Sequence, residues 1–465
     1  MSDNALIINL AYVLATTLFI VGLKLLSHPS SAKKGNLVSA VGMFIAVVVT
    51  LIDQQIISYH WILLGFVIGG AYGAWKAKTV EMTQMPEMVS LFNGFGGAAS
   101  LLLGWATVSG MSSIALATTD SLIFLTVFLT ILIGGITFSG SVIAWGKLSG
   151  KMSSKAFIFT GLRELSILHL LAFFVVGYLF ATDPGNPLWL YVSIALALSF
   201  GIWATISIGG ADMPVVIALL NSCSGLAASA AGFVLDNPLL IIAGSLVGAS
   251  GLILTQIMCT SMNRSLFDVV FGSMGSGSTV VDVDEVYGDR VTSTSAEEVA
   301  MLLEVAERVA IVPGYGMAVA QAQHAVRDLM RTLNEAGTEV VFGIHPVAGR
   351  MPGHMNVLLA EAEIDYECLL DMDQVNPTFP QTDVTIVIGA NDVVNPLART
   401  DPGSPIAGMP ILEVDASRTV VVIKRSLSPG FAGIPNPLFA ADATLMLFGD
   451  GKTAVLDVVA ALHNA

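Results

Sequence analysis

The stretch Ile311–Gln323, IVPGYGMAVAQAQ, decides how this chain is read. Ile311 and Val312 close an apolar run, Gly314 and Gly316 bracket Tyr315, and Met317, Ala318 and Val319 open an alanine-rich segment of helical composition. A strand entering a glycine turn and then a helix is the usual seat of a dinucleotide phosphate. The first glycine permits the bend, the second lets the backbone approach a pyrophosphate, and Val319, in the sixth position, packs the helix on the sheet. Taken alone, the pattern also fits an ordinary strand–helix turn.

The sequence downstream favours the first reading. Short apolar runs at Val309–Val312, Val340–Ile344, Val384–Ile388, Thr419–Ile423 and Leu445–Leu447 alternate with helical stretches at Met317–Asn334, His354–Glu361 and Thr453–His463. That alternation predicts a Rossmann-like α/β domain with a mostly parallel sheet. Ser295 and Glu298 have the spacing of a capping box for a helix over Ala296–Ala306. An NAD site places an acid after the second strand, for the ribose hydroxyls. Here GIHPVAGR supplies His345 and Arg350 instead, whereas VVIKRSLSPG puts Lys424, Arg425 and Ser426 at another strand end. Two cations and a hydroxyl suit a ribose 2′-phosphate, which points to NADP rather than NAD; a basic surface patch is the plainer alternative. In IGANDVVNP, Gly389 and Ala390 allow close backbone approach, and Asn391, Asp392 and Asn395 orient the carboxamide or ribose, sense protons, or simply form a turn.

Upstream the chain changes character. Of 465 residues, 54% are hydrophobic and 12% charged, too apolar for an ordinary soluble protein. Residues 1–263 balance nine basic against nine acidic side chains, so the whole net charge of −15 falls on the remainder, with eleven basic and 26 acidic, a balance that repels nucleic acid. Nine apolar spans are expected near 5–26, 37–52, 61–75, 86–108, 121–145, 164–182, 187–208, 213–235 and 238–260. Lysine and arginine crowd alternate connections (Lys24, Lys33 and Lys34; Lys76 and Lys78; Lys147, Lys151, Lys155 and Arg163), and Arg264 follows the last span. The intervening connections hold Asp53, Asp120, Asp183 and Asp236. The positive-inside rule then predicts the N-terminus outside and the C-terminal part in the cytoplasm. Gly272–Arg290 is Gly/Ser-rich and then acidic, a linker composition. The expected organisation is a multi-span membrane domain over 1–263, a linker over 264–292 and an α/β domain over 293–465.

Polar residues at membrane depth are the other candidates. Asn93 shares a helix face with Gly96, Gly97 and Ser100; Ser139 and Ser141 lie in the fifth span, and Asn221, Ser222 and Ser224 in the eighth. Each either lines a water or proton path or bonds a neighbouring helix. His169 is a relay or a satisfied interhelical group, and Asp212 is a helix cap or a carboxylate at the inner mouth. No haem-type histidine pair, metal motif, hydrolase triad or cysteine framework is visible.

PGYGMAVAQAQ, FGIHPVAGRMPGHMNVLLAEA, IGANDVVNP, SPIAGMPILEV, IKRS and LFGD, with VEMTQMPE, GKLSGK, IGGADMPVV and LNSCSG, together resemble the β subunit of the proton-translocating NAD(P) transhydrogenase. The likeness covers nearly the whole chain and is weakest over the first 35 residues and around 156–200. It implies direct hydride transfer from NADH to NADP⁺, driven by proton entry across a bacterial cytoplasmic membrane. NADP(H) is then bound by this chain. NAD(H) is bound by an α component of one or two chains that adds further membrane helices, and the protomers pair as a dimer. By motif, Gly314, Tyr315, Gly316, Met317, Ala318 and Val319 hold the pyrophosphate, and Gly349, Arg350 and Pro352 close over the nucleotide. Asn391 and Asp392 lie beside the NADP and influence its release. Lys424, Arg425 and Ser426 grip the 2′-phosphate, and Gly449 and Asp450 border the adenosine. Asn221 and Asp212 match positions linked to coupling. Some family members carry a titratable histidine where this chain has Asn93, so the proton carrier is His169, a group of the α partner, or water around Asn93. Two rivals remain. One is a secondary transporter or channel regulated by a nucleotide domain. The other is a quinone-reducing dehydrogenase, for which the sequence offers no chromophore ligands.

Overall fold

A computed structural model describes residues 3–26, 29–53, 59–111, 120–159, 161–271, 287–430 and 432–464; most of the expected linker, 272–286, lies outside them. The chain forms two compact units. The first comprises Met1–Met152, Phe157–Ser207 and Val216–Leu254, and the second Ser153–Ala156, Ile208–Val215 and Thr255–Ala465.

The long helices are α1 (Asp3–Leu26), α2 (Pro29–Asp53), α3 (His60–Thr79), α4 (Met85–Ser109), α5 (Ser121–Leu148), α6 (Leu162–Thr182), α7 (Pro187–Ile206), α8 (Met213–Val234) and α9 (Pro238–Ser261). Each overlays an expected span. Among the described residues, eight helices are long and apolar enough to cross a membrane; α3 is not among them. Their starts follow local chemistry. Asp120 accepts from Leu122 N–H and Asn186 from Leu188 N–H, with Pro187 in the first turn of α7, where its missing N–H costs nothing. Glycines set how closely the helices pack. A methyl on Gly97 would come within 2.7 Å of the Gly134 carbonyl oxygen, and one on Gly225 within 2.4 Å of Gly248 N, so α4 meets α5 and α8 meets α9 backbone to backbone.

In the second unit, α10 (Leu266–Phe271) is followed by α11 (Ala296–Glu304), whose Ser295–Glu298 capping box is formed as its spacing predicts. A six-stranded, wholly parallel sheet follows: β1 (Arg308–Pro313), β2 (Glu339–Ile344), β3 (Leu369–Asp371), β4 (Val384–Ile388), β5 (Thr419–Lys424) and β6 (Thr444–Phe448). The spatial order is β3-β2-β1-β4-β5-β6, the doubly wound arrangement that reverses direction between β1 and β4. Buried on both faces, the central strands read as nearly unbroken apolar runs, Val384–Ile388 being interrupted by Thr385 alone, whose hydroxyl pairs with Ser417 Oγ.

One helix differs from its expectation. Met317–Asn334 is two helices, α12 (Tyr315–Val319) and α13 (Gln323–Glu335), with Gln321 between them at φ +49°. The packing assigned to Val319 is therefore corrected. Val319 is 45% exposed, and Met317, Ala318 and Ala322 are the residues buried, because the break turns the sixth position outward. The remaining helices are α14 (His354–Glu361) and α15 (Gly451–Asn464).

Candidate functional site

Strand polarity gathers the candidates. Because all six strands run parallel, the turns after β1, β2, β4, β5 and β6 emerge at one edge, and the crevice at the β1/β4 reversal is where such sheets bind ligands. The two turns at that reversal interlock. Gly314 N–H donates to Ile388 O and Gly316 N–H to Gly389 O, both at 2.9 Å. A methyl on Gly314 would stand 2.4 Å from Ala390 Cα, and one on Gly316 2.6 Å from Gly389 Cα. Gly389 itself sits at φ +64°, where a side chain is strained. These glycines thus bring two backbones together, and the N–H groups of Gly314 and Gly316 are already committed to that contact.

The loop after β2 is pinned by two histidines. His345 Nδ1 accepts from Val347 N–H at 3.2 Å, so Nε2 carries the proton and donates to Pro410 O at 2.8 Å. His354 Nδ1 accepts from Arg350 N–H at 3.0 Å, and Gly349, at φ +111°, leaves room for that ring. Burial depresses both imidazoles to a pKa of about 4, with Arg350 adding to the effect at His354. Arg350 lies 4.5 Å over the Tyr315 ring, joining the β2 loop to the glycine turn. Pro352 stands in the same loop, between Gly349 and the start of α14.

Beyond the reversal, Asp392 Oδ2 accepts Ala432 N–H at 3.0 Å, and a methyl on Gly430 would meet Asp392 Oδ1 at 2.5 Å. Asn436 Nδ2 donates to the Asn391 carbonyl at 3.1 Å, and Asn395 Nδ2 to Pro435 O at 3.0 Å. The segment after β5 is therefore laced onto the Asn391–Asn395 turn. Lys424, at the end of β5, donates to Ser428 O and stands 4.8 Å over the Phe439 ring. Burial lowers its pKa to about 8, partly opposed by the Asp392 charge. Arg425 and Ser426 beside it are exposed, and Gly449 N–H pairs with Lys424 O at 3.1 Å. Asp450 accepts from Lys452 N–H at the head of α15. Asn436 and Tyr287, whose hydroxyl accepts Asn436 N–H at 2.8 Å, escaped the sequence reading. Only the Asn-Pro turn at Asn436 hinted at either.

The membrane candidates separate. Asn93 donates to Ser141 Oγ at 3.1 Å and accepts from Ser224 Oγ at 2.6 Å, tying α4, α5 and α8 together. Ser222 turns instead to Gly248 O on α9, and Asn221 is exposed. His169 bonds Leu165 O and Ser199 Oγ and packs on Phe173 and Phe200, between α6 and α7. Asp212, in the second unit, receives Arg264 Nη1 at 2.9 Å and 3.0 Å on its two oxygens.

Residues 8–461 match the family model described as NAD(P) transhydrogenase beta subunit. The relatives include two Rhodospirillum rubrum sequences named NAD(P) transhydrogenase subunit beta, each 47% identical over 459 residues, spanning 97% of this chain and 98% of the relative.

Proposed function

The chain belongs to the NAD(P) transhydrogenase beta subunit family, and from that premise we propose that it binds NADP(H) at the β1/β4 crevice of its α/β unit. We further propose that it works with an α component carrying NAD(H), the two together passing hydride directly between NADH and NADP⁺ in step with proton movement across a bacterial cytoplasmic membrane. The observation that carries the reading is the interlock of Gly314 and Gly316 with Gly389, with Lys424 one strand further along the same sheet edge. Only bare backbone on both sides lets the two turns meet so closely at the reversal, where such sheets take a nucleotide.

In this reading each group has a task the geometry allows. Gly314 to Ala318 form the floor, with Val319 at its outer rim. Since the N–H groups of Gly314 and Gly316 are committed, Arg350 supplies the positive charge for the pyrophosphate, its guanidinium steadied on Tyr315. Gly349 and Pro352 shape the loop that closes over it. Asn391 and Asp392, with Gly389 and Ala390, border the nicotinamide end. Lys424, Arg425 and Ser426 take the 2′-phosphate, and Gly449 and Asp450 the adenosine. Bound NADP⁺ supplies the hydride acceptor, and the chain's residues orient it and exclude water. Asn93, Ser141, Asn221, Ser222, Asp212 and His169 are the groups proposed to serve proton passage, waters at Asn93 standing in for a titratable side chain. Protomers, each made of this chain and its α component, pair as a dimer, with the N-terminus outside and residues 293–465 in the cytoplasm.

Calorimetric titration of the full chain in detergent with NADPH and NADH tests this. NADPH is expected to bind at least about 100-fold more tightly, and Lys424→Ala/Arg425→Ala to remove most of that preference, as the loss of two charge-assisted contacts requires. Equal affinity for both nucleotides, or for neither, sinks the 2′-phosphate assignment and brings a nucleotide-regulated transporter forward.

A further inference from the structure

Tyr287 is 3% exposed and lies where the chain arriving from α9 and α10 through residues 272–286 enters the α/β fold. Its hydroxyl accepts Asn436 N–H at 2.8 Å in a buried contact. Its ring stacks on Phe439, centroids 6.3 Å apart and planes 19° from parallel. Both partners lead to the candidate site. Asn436 Nδ2 donates to the Asn391 carbonyl, and the Phe439 ring carries the Lys424 ammonium at 4.8 Å. One aromatic side chain thus touches the supports of both halves of the nucleotide crevice: the turn assigned to the nicotinamide end and the lysine assigned to the 2′-phosphate.

We propose that Tyr287 is a positioning residue for the NADP site, tying the chain that enters from the membrane helices to Asn391 through Asn436 and to Lys424 through Phe439. The inference rests on the functional reading above. Displacement of the entering chain at Tyr287 withdraws the acceptor from Asn436 N–H and tilts the ring beneath Lys424 together. The grip on both ends of the nucleotide then loosens at once. A ring that only filled the core would transmit nothing in this way.

The test uses the chain assembled with its α component in liposomes, with a pH gradient imposed. Tyr287→Phe keeps the ring and removes the acceptor. It is expected to speed NADPH release without a gradient by between about twofold and tenfold, the worth of one buried hydrogen bond. It is also expected to lose at least about half of the stimulation of hydride transfer by the gradient, because a grip already loosened leaves less for the gradient to release. Phe439→Leu, which removes the stack on Tyr287 and the ring beneath Lys424 together, is expected to act in the same direction. Val455→Ala truncates a fully buried side chain on α15 and reports loss of stability without loss of this contact. It is expected to keep the stimulation. Undiminished stimulation in Tyr287→Phe, or an equal loss in Val455→Ala, overturns the inference alone. A wild-type chain with no gradient-stimulated transfer overturns the functional reading and this inference with it.

Discussion

His345 holds the loop after β2 as a neutral ring, and protonation breaks that arrangement. Its Nδ1 must accept from Val347 N–H while Nε2 donates to Pro410 O. A proton on Nδ1 turns the acceptor into a second donor facing a donor. With the folded pKa lowered to about 4, the unfolded chain takes up a proton first as the solution is acidified. The stability contributed is therefore present above about pH 6.5 and is lost as pH falls through the window down to about 4, the loss reaching about 2 kcal/mol by pH 5. Hydrogen exchange of the full chain, corrected for intrinsic rates, should show protection at Phe342–Ala348 falling between pH 7 and 5. His345→Gln should flatten that dependence. A wild-type profile as flat as the variant's would mean that the ring is hydrated enough to titrate normally. The sequence showed His345 only as the residue standing where an NAD site has an acid. Its role as a backbone anchor depends on Pro410, 65 positions away, and no local pattern reports such a partner.

At the scale of elements, Asp212 and Arg264 join the turn before α8 to the residues after α9. The pair is uneven. The Asp212 side chain is 8% exposed and that of Arg264 is 32% exposed. Burial raises the Asp212 carboxyl above the ordinary range, although Arg264 pulls it the other way. Removing the arginine strands a buried carboxylate, whereas removing the carboxylate leaves a guanidinium that reaches water. Arg264→Gln should therefore cost about 3 kcal/mol and Asp212→Asn clearly less. The cost of Arg264→Gln should shrink on acidification, as Asp212 becomes neutral. Unfolding of the two variants in detergent at pH 8, and then at successively lower pH, decides, and the reverse order at pH 8 would sink the argument.

Element boundaries were legible where one local signal sufficed. His354–Glu361 and Val384–Ile388 match their expectations residue for residue, because the helix begins directly after Gly353 and the β-branched run of the strand ends directly before Gly389. The break at Gln321 was not legible, since a non-glycine residue at positive φ follows from how Met317 and Ala322 are both drawn into the core. The three-residue β3 is too short to carry a period and exists through its pairing with Phe342–Ile344.

At the scale of the whole molecule, α3 decides which side each end of the chain faces. Charge alternation requires it to cross, because Lys76 and Lys78 share a side with Lys24, Lys33 and Lys34 only if α2 and α3 both span. Its composition argues more weakly. His60, Trp61, Tyr72, Trp75 and four glycines dilute the apolar content, and no residue of α3 is buried. Yet Trp61 and Trp75 stand near its two ends, where an aromatic belt anchors a spanning helix at the headgroups, and its 20 residues reach about 30 Å, the thickness of the hydrocarbon core. A helix lying on the surface would need a polar face, and α3 has polar groups at its ends rather than along one side. We therefore expect nine crossings. In sealed vesicles of known orientation, Tyr59→Cys should react with an impermeant maleimide only from the side opposite the α/β unit, and Lys78→Cys only from the same side as that unit. Labelling of both from one side would leave eight crossings. It would also move Lys24, Lys33 and Lys34 to the outer face, against the charge rule that the rest of the chain obeys.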